Sequence, residues 1–314
     1  MESNISNTSN IFAIVAPTAS GKSTLAINLA QRLNANIFSF DSLSVYKYIS
    51  IASAKPSKED LTKIKHYGVD ELEPNEHCNA GMFMEIFSLA LQESKRNNKG
   101  LICVGGSGFY LHSIINGLSK MPKSNQIDSN DLHKVKAQIN DLENPYKFLE
   151  SIDKTSAKSI SPNDTYRIYA LLSIYFTSGI VPSEYFRAHK RVPIFPNMPI
   201  YIIDTPKEEL NCRIKMRTGL MIRQGLVNEA KWLLAHFGRD IEPFKAIGLK
   251  ECLQAFEANM DLENNDNLKT LCESITIHTR QLAKRQRTFN RAKFPNATCL
   301  PYKKLEDKIL KDFA

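Results

Sequence analysis

Residues 11–26 read IFAIVAPTASGKSTLA, and no other stretch narrows the possible folds as much. Ile11 to Val15 form a short apolar run rich in β-branched and aromatic residues, the pattern of a buried strand. Leu25, Leu29 and Leu33 then recur at i, i+4 and i+8, making one apolar helix face. Gly21, Lys22 and Ser23 fall where strand gives way to helix. A helix N-terminus exposes free backbone N–H groups and the positive end of the helix dipole. Gly21 lets the backbone approach an anion, Lys22 can reach a terminal phosphate, and the Ser23 hydroxyl suits Mg²⁺. The loop fits the phosphate-binding pattern G-x-x-x-x-G-K-[ST], except that Ala16 stands at the first glycine. That position governs the turn rather than a phosphate contact, so Ala16 is accepted if its φ is negative. Ala16, Pro17, Thr18, Ala19, Ser20, Gly21, Lys22 and Ser23 are therefore the candidate diphosphate- or nucleotide-binding loop. By motif alone it would be labelled ATP-binding.

Three more apolar runs read as buried strands: NIFSF (36–40), LICV (101–104) and PIYII (199–203). Helical patterns separate the first three strands. That alternation predicts an α/β fold, with a mainly parallel, P-loop-like sheet flanked by crossover helices. The stretch 120–198 breaks the pattern. It opens on the polar MPKSNQIDSND, closes on the proline-rich RVPIFPNMP, and carries helical patterns in PYKFLESIDKTSAKSI and TYRIYALLSIYF. It reads as a helical insertion domain. The core is then 11–119 plus 199–314, with a mostly helical C-terminal part, after a polar tail over residues 1–10.

No apolar run approaches the ~18 residues of a membrane span. The polar N-terminus lacks the basic and apolar regions of a secretory signal. Six scattered cysteines with no C-x-x-C pair point to a reducing cytosol rather than a zinc or disulfide framework. A cytoplasmic protein with no membrane partner is expected. The formal net charge of +8 hints at a polyanionic partner.

Ligands of open α/β sheets bind beyond the carboxyl ends of the strands. All four predicted strands run into polar or glycine-containing sequence there. The second leads to Asp41 and Ser42, the third to Gly105, Gly106 and Ser107, and the last to Asp204. Asp41 fits a carboxylate that positions Mg²⁺, a general base, or a cap for the next segment. Asp204 competes for the metal role, and spacing does not choose between them. Further on, LCESITIHTRQLAKRQRTFNR (271–291) puts Leu271, Ile275, Leu282 and Phe289 on one helix face. Arg280, Lys284, Arg287 and Arg291 form a stripe opposite. With no acidic residue from 274 to 305, that stripe suits a phosphate backbone better than a solvated face of mixed sign. Arg213 and Arg217, at i and i+4 after the last strand, are placed to close over an anionic substrate.

APTASGKSTLA, FDSLSVYKYISIASAKPS, VGGSGFYLHSIINGL, NDTYRIYALLSIYFTSG, RIKMRTGLMIRQGLVNEA, KAIGLKE and HTRQLAKRQRTF resemble the bacterial tRNA dimethylallyltransferases in order and spacing over nearly the whole chain. The resemblance implies transfer of a dimethylallyl group from its diphosphate to N6 of adenosine 37, beside the tRNA anticodon. It implies that the loop cradles the donor diphosphate rather than ATP, with Mg²⁺. It makes Asp41 the general base, Ser107 the hydroxyl beside the reacting base, and Arg217 a holder of the donor diphosphate. It assigns tRNA contacts to the stretch Asp41, Ser42, Leu43, Ser44 and to Tyr166, Arg167, Ile168, Tyr169, Ala170 in an anticodon-gripping insertion. The chain departs from the family pattern at Ala16 (usually Gly), Ser44 (usually Gln) and Ala170 (usually Arg). Asp204 is not a regular family feature, which lowers its claim to the metal. A monomer is expected, because each basic surface is committed to one tRNA. The rivals are an isopentenyltransferase acting on free AMP or ATP, a small-molecule P-loop kinase, and an inactive RNA-binding P-loop protein.

Overall fold

A computed structural model describes residues 10–119, 122 and 129–313, with side chains from 134 onward in the last segment. The expected N-terminal tail, Asn10 apart, lies outside the described residues, as does most of 120–128. The chain forms two compact units, 1–115 with 194–314, and 116–193.

The larger unit opens with β1 (Ile11–Val15), α1 (Lys22–Arg32), β2 (Ala35–Ser39), α2 (Lys58–Lys63), β3 (His66–Tyr67), α3 (Ala80–Arg96), β4 (Gly100–Gly105) and α4 (Gly108–Asn116). The smaller unit holds α5 (Ser129–Asn140), α6 (Pro145–Ile152), α7 (Lys154–Lys158), α8 (Thr165–Ser178) and α9 (Pro182–Ala188). The larger unit resumes with β5 (Ile200–Ile203), α10 (Lys207–Arg223), α11 (Leu226–Phe237), α12 (Leu249–Glu257), α13 (Asn265–Lys293), β6 (Thr298–Leu300) and α14 (Tyr302–Phe313). The described strands form one six-stranded sheet in the order β3-β2-β4-β1-β5-β6, parallel at every pairing.

The run IFAIV is apolar throughout because β1 is covered on both faces. Phe12 and Ile14 pack with Leu25, Leu29, Leu305 and Ile309 of α1 and α14. Ile11, Ala13 and Val15 belong to the opposite core, with Phe83 and Phe87 of α3 and Leu271 and Ile275 of α13. The chain leaves β1 for β2, and β4 later fills the place between them. The carboxyl ends of β1, β2 and β4 are therefore neighbours, and the candidate residues lie just beyond them.

Two short strands carry no sequence signal. The paired parts of β3 and β6 are two and three residues long, too short for an alternation pattern. In the smaller unit, PYKFLESIDKTSAKSI splits into two helices at Asp153. That buried carboxylate accepts Ser156 N–H at 3.0 Å, the Ser156 hydroxyl at 2.7 Å and Ser183 N–H at 2.7 Å. It caps α7 and ties it to α9. The unit has its own core, formed by Val135, Ile139, Leu149, Ala157, Ile168 and Leu172. Its downstream limit falls before 194 rather than at 198. Ile194 N–H bonds Ile114 O at 3.0 Å, and Ile194, Phe195 and Met198 pack on the larger core. Those apolar residues lie inside the proline-rich RVPIFPNMP, which the sequence pattern placed at the close of the insertion.

Candidate active site

Ala16 is fully buried and is not among the positive-φ residues of the described chain. The left-handed turn lies instead at Ala19, φ 64°, and Gly21, φ 87°. An alanine in that region carries strain of the kind found at ligand clamps. Gly21 is the N-cap of α1 and gives no side-chain cap. The first N–H groups of α1 are thus left for an anion. Side chains brace the loop from outside. The Ser20 hydroxyl donates to Pro17 O at 2.7 Å, Arg213 donates to Ser20 O at 3.3 Å, and Arg217 donates to the Thr18 hydroxyl at 3.1 Å.

A cleft with two joined lobes opens beyond the loop. Thr18, Lys22, Asp41, Ser53 and Arg217 line both lobes. The inner lobe adds Ser23, Ala26, Ile27, Ile37 and His66. The outer lobe adds Ser42, Leu43, Ser107, Met221, Leu282 and Arg285. Burial pushes the Lys22 ammonium down to about 8, and the Arg217 cation adds to this while Asp41 opposes it. Burial also lowers Arg217, again against the pull of Asp41. Two cations held partly against their own desolvation form a strong trap for a polyanion.

Asp41 fills the capping role that the sequence left open to it. Its Oδ1 accepts Leu43 N–H at 3.0 Å and Ser44 N–H at 3.3 Å, which caps the turn after β2. Oδ2 takes no hydrogen bond among the described residues. One oxygen fixes the carboxylate, and the other remains for a proton.

Ser107 shares the outer lobe with Asp41. Ser42 is exposed, Leu43 is largely buried, and Ser44 is buried with its hydroxyl 3.0 Å from that of Ser39. Ser44 thus braces the Asp41 turn and has little surface to offer a macromolecule. Asp204 is exposed and lines neither lobe. In the smaller unit, Tyr166 and Arg167 are exposed, and Tyr169 and Ala170 are half-buried. Ile168 is a correction as a contact residue, since its side chain is 3% exposed in that unit's core. On α13, Arg280 and Lys284 are exposed without an ion pair among the described residues. Arg287 departs from the expected outward stripe. It is half-buried and donates to Thr205 O at 2.5 Å, beyond the end of β5.

Three cleft residues of α13, Thr279, Arg285 and Gln286, were not singled out in the sequence. Arg285 lines the outer lobe, and Gln286 Oε1 accepts Thr18 N–H at 2.9 Å. Gly106 leaves room for this amide: a Cβ there would lie 2.5 Å from Gln286 Nε2 and would make it shift. The available signal was a polar residue four positions after Leu282, on the face that docks. A polar group buried there needs a partner.

A parallel sheet, a phosphate loop opening a helix, and a carboxylate facing two cations define a group-transfer enzyme of the P-loop-like class. The chain belongs to the IPP transferase family, whose sequence model matches residues 44–293. It is 45% identical to a tRNA dimethylallyltransferase of Nautilia profundicola over 96% of this chain and 99% of that one. It is 43% identical to the enzyme of that name from Helicobacter pylori strain 26695, over 96% and 93% of the two chains. Among solved structures it resembles a tRNA isopentenylpyrophosphate transferase of Staphylococcus epidermidis, with TM-score 0.66 and 28% identity over 97% and 98% of the chains. A eukaryotic dimethylallyltransferase acting on tRNA superposes with TM-score 0.78 at 25% identity, covering 93% of this chain and 73% of that one.

Proposed function

We propose that this chain transfers a dimethylallyl group from dimethylallyl diphosphate to N6 of the adenosine beside the tRNA anticodon, releasing diphosphate. The observation that carries the reading is Asp41, with one oxygen anchored and one free, in a cleft shared with Lys22 and Arg217. The names of the relatives supply the acceptor class.

The donor diphosphate sits on the α1 N–H groups, with Lys22 and Arg217 meeting the charge that grows as the allylic C–O bond breaks. The adenine amine attacks that carbon. Its proton passes to Asp41 Oδ2, and the bonding pair leaves with diphosphate. A neutral exocyclic amine is a poor nucleophile, and general-base help of this kind contributes ~10²–10⁴-fold. Ser107 reaches the base from the same lobe. The target base leaves its stack to enter, at a cost of roughly a few kcal/mol. Mg²⁺ fits Ser23, which is exposed at the start of α1 and lines the inner lobe. No group of three or more His, Cys, Asp or Glu among the described residues could hold a metal, so diphosphate and water would complete its shell. When bound there it neutralises leaving-group charge.

Tyr166 and Arg167 on the smaller unit and Arg280 and Lys284 on α13 are the proposed contacts to the anticodon stem-loop. The protein acts as a monomer in the cytoplasm. No described helix is long and apolar enough to cross a membrane. The deciding experiment offers radiolabelled dimethylallyl diphosphate with unmodified tRNA, AMP or ATP. Label on tRNA alone is expected. Label on AMP or ATP instead makes the enzyme a free-nucleotide prenyltransferase, and no transfer at all removes the prenyl chemistry.

A further inference from the structure

Glu229 lies in the first turn of α11 and is half-buried. Its carboxylate accepts three consecutive backbone N–H groups from a distant segment. Oε2 takes Ser50 at 2.7 Å and Ile51 at 2.8 Å, and Oε1 takes Ala52 at 2.9 Å. Hydrogen bonds to an ionised acceptor are about twice as strong as neutral ones. The pinned segment runs directly into the cleft. Ala52 lines the outer lobe, Ser53 lines both, and Ala54 to Pro56 line the inner one.

This loop does not hold its shape by local preference. Tyr48 and Ala54 are left-handed, with φ 62° and 49°. Non-glycine residues keep that conformation where their surroundings over-determine it. The far end is held by Lys55, whose ammonium donates to Tyr46 O at 2.5 Å and to Asp70 Oδ1 at 2.6 Å. Glu229 holds the near end. Arg217 stands on the preceding helix, since α10 ends at Arg223 and α11 begins at Leu226. Consecutive helices therefore carry a cleft cation and the carboxylate that pins the approach to the 52–56 wall.

We propose that Glu229 is a positioning residue for the transfer reaction. By pinning 50–52 it sets the adjoining 52–56 wall against Lys22, Arg217 and Asp41, and it lines neither lobe itself. This rests on the prenyl-transfer reading. A wall held loosely leaves donor and base misaligned, and a misplacement of about 1 Å costs up to ~10²-fold in rate.

The test is Glu229→Gln, which keeps the shape but turns an NH₂ group toward backbone donors. The expected result is faster hydrogen exchange at the amides of 50–52 and a somewhat lower melting temperature, with inorganic diphosphate affinity unchanged. The kcat for transfer to tRNA falls roughly tenfold or more. A merely structural role would move the melting temperature and spare the kcat of the folded enzyme. Wild-type kcat in a variant with faster 50–52 exchange overturns the proposal. So does unchanged exchange in Glu229→Ala, which removes the acceptor. If the wild-type protein prenylates no tRNA, the functional reading fails separately. The wall is then read from binding: Glu229→Gln must weaken dimethylallyl diphosphate several-fold and spare inorganic diphosphate, and equal binding of both ligands by the two proteins overturns it.

Discussion

Lys22 makes the chemistry of the cleft titratable. Its ammonium is held down to about 8 by burial, against an ordinary lysine value of 10.5. A bound diphosphate restores a counter-charge and raises that value again. Between the free and bound values, binding takes up a proton, so affinity must fall as pH rises above about 8. Titration calorimetry with inorganic diphosphate, in buffers of different ionisation enthalpy, should show proton uptake at pH 8–9 and weaker binding above it. A flat affinity from pH 7 to 10 would assign the phosphate contact to Arg217 and backbone alone. For protein stability the sign is opposite. The unfolded chain binds the extra proton between about 8 and 10.5, so this lysine penalises the free fold most below pH 8. Ala16 was legible at this scale. A buried alanine outside the left-handed region is what a tolerated first-glycine replacement requires, and the strain sits at Ala19, which the motif does not mark.

At the scale of elements, α13 does two jobs with two faces. Leu271 and Ile275 dock it on the sheet, and Gln286 closes on the phosphate loop. Arg280 and Lys284 stay on the outer face. Replacing these two with Gln should weaken tRNA binding and flatten its salt dependence by roughly 0.7–0.9 in log–log slope for each phosphate no longer neutralised. Filter binding at several salt concentrations reads this directly, and an unchanged slope would make the stripe a plain solvated face. Arg287→Gln is the control. Its guanidinium is spent on Thr205 O, so the effect should appear in melting temperature more than in salt slope. Helix periodicity found both faces of α13, because apolar spacing reports which side docks. It missed Arg287 and Gln286, because periodicity gives an angle about the axis and not the length of a side chain or the carbonyl it meets.

Across the whole molecule, the sheet was readable because β1, β2, β4 and β5 are apolar enough to be buried on both faces. Their order was not, since it follows from the crossover of β4 between β1 and β2. That crossover brings Lys22, Asp41 and Ser107 to one crevice from three separate parts of the chain. That 53–56 and His66 wall the inner lobe was not legible, because their places depend on the loop pinned by Glu229 and on a two-residue strand. The roles divide in the same way. On the proposed reading, exposed residues of α8 and α13 meet tRNA, while one carboxylate moves the proton. Asp41→Asn keeps an oxygen able to accept Leu43 N–H and Ser44 N–H but removes the base. The most direct measurement is the rate of label transfer from dimethylallyl diphosphate to tRNA by Asp41→Asn, with tRNA affinity measured on the same preparation. Turnover should fall ~10²–10⁴-fold with tRNA affinity unchanged. Near-wild-type turnover in that variant would contradict the assignment of Asp41 as the base.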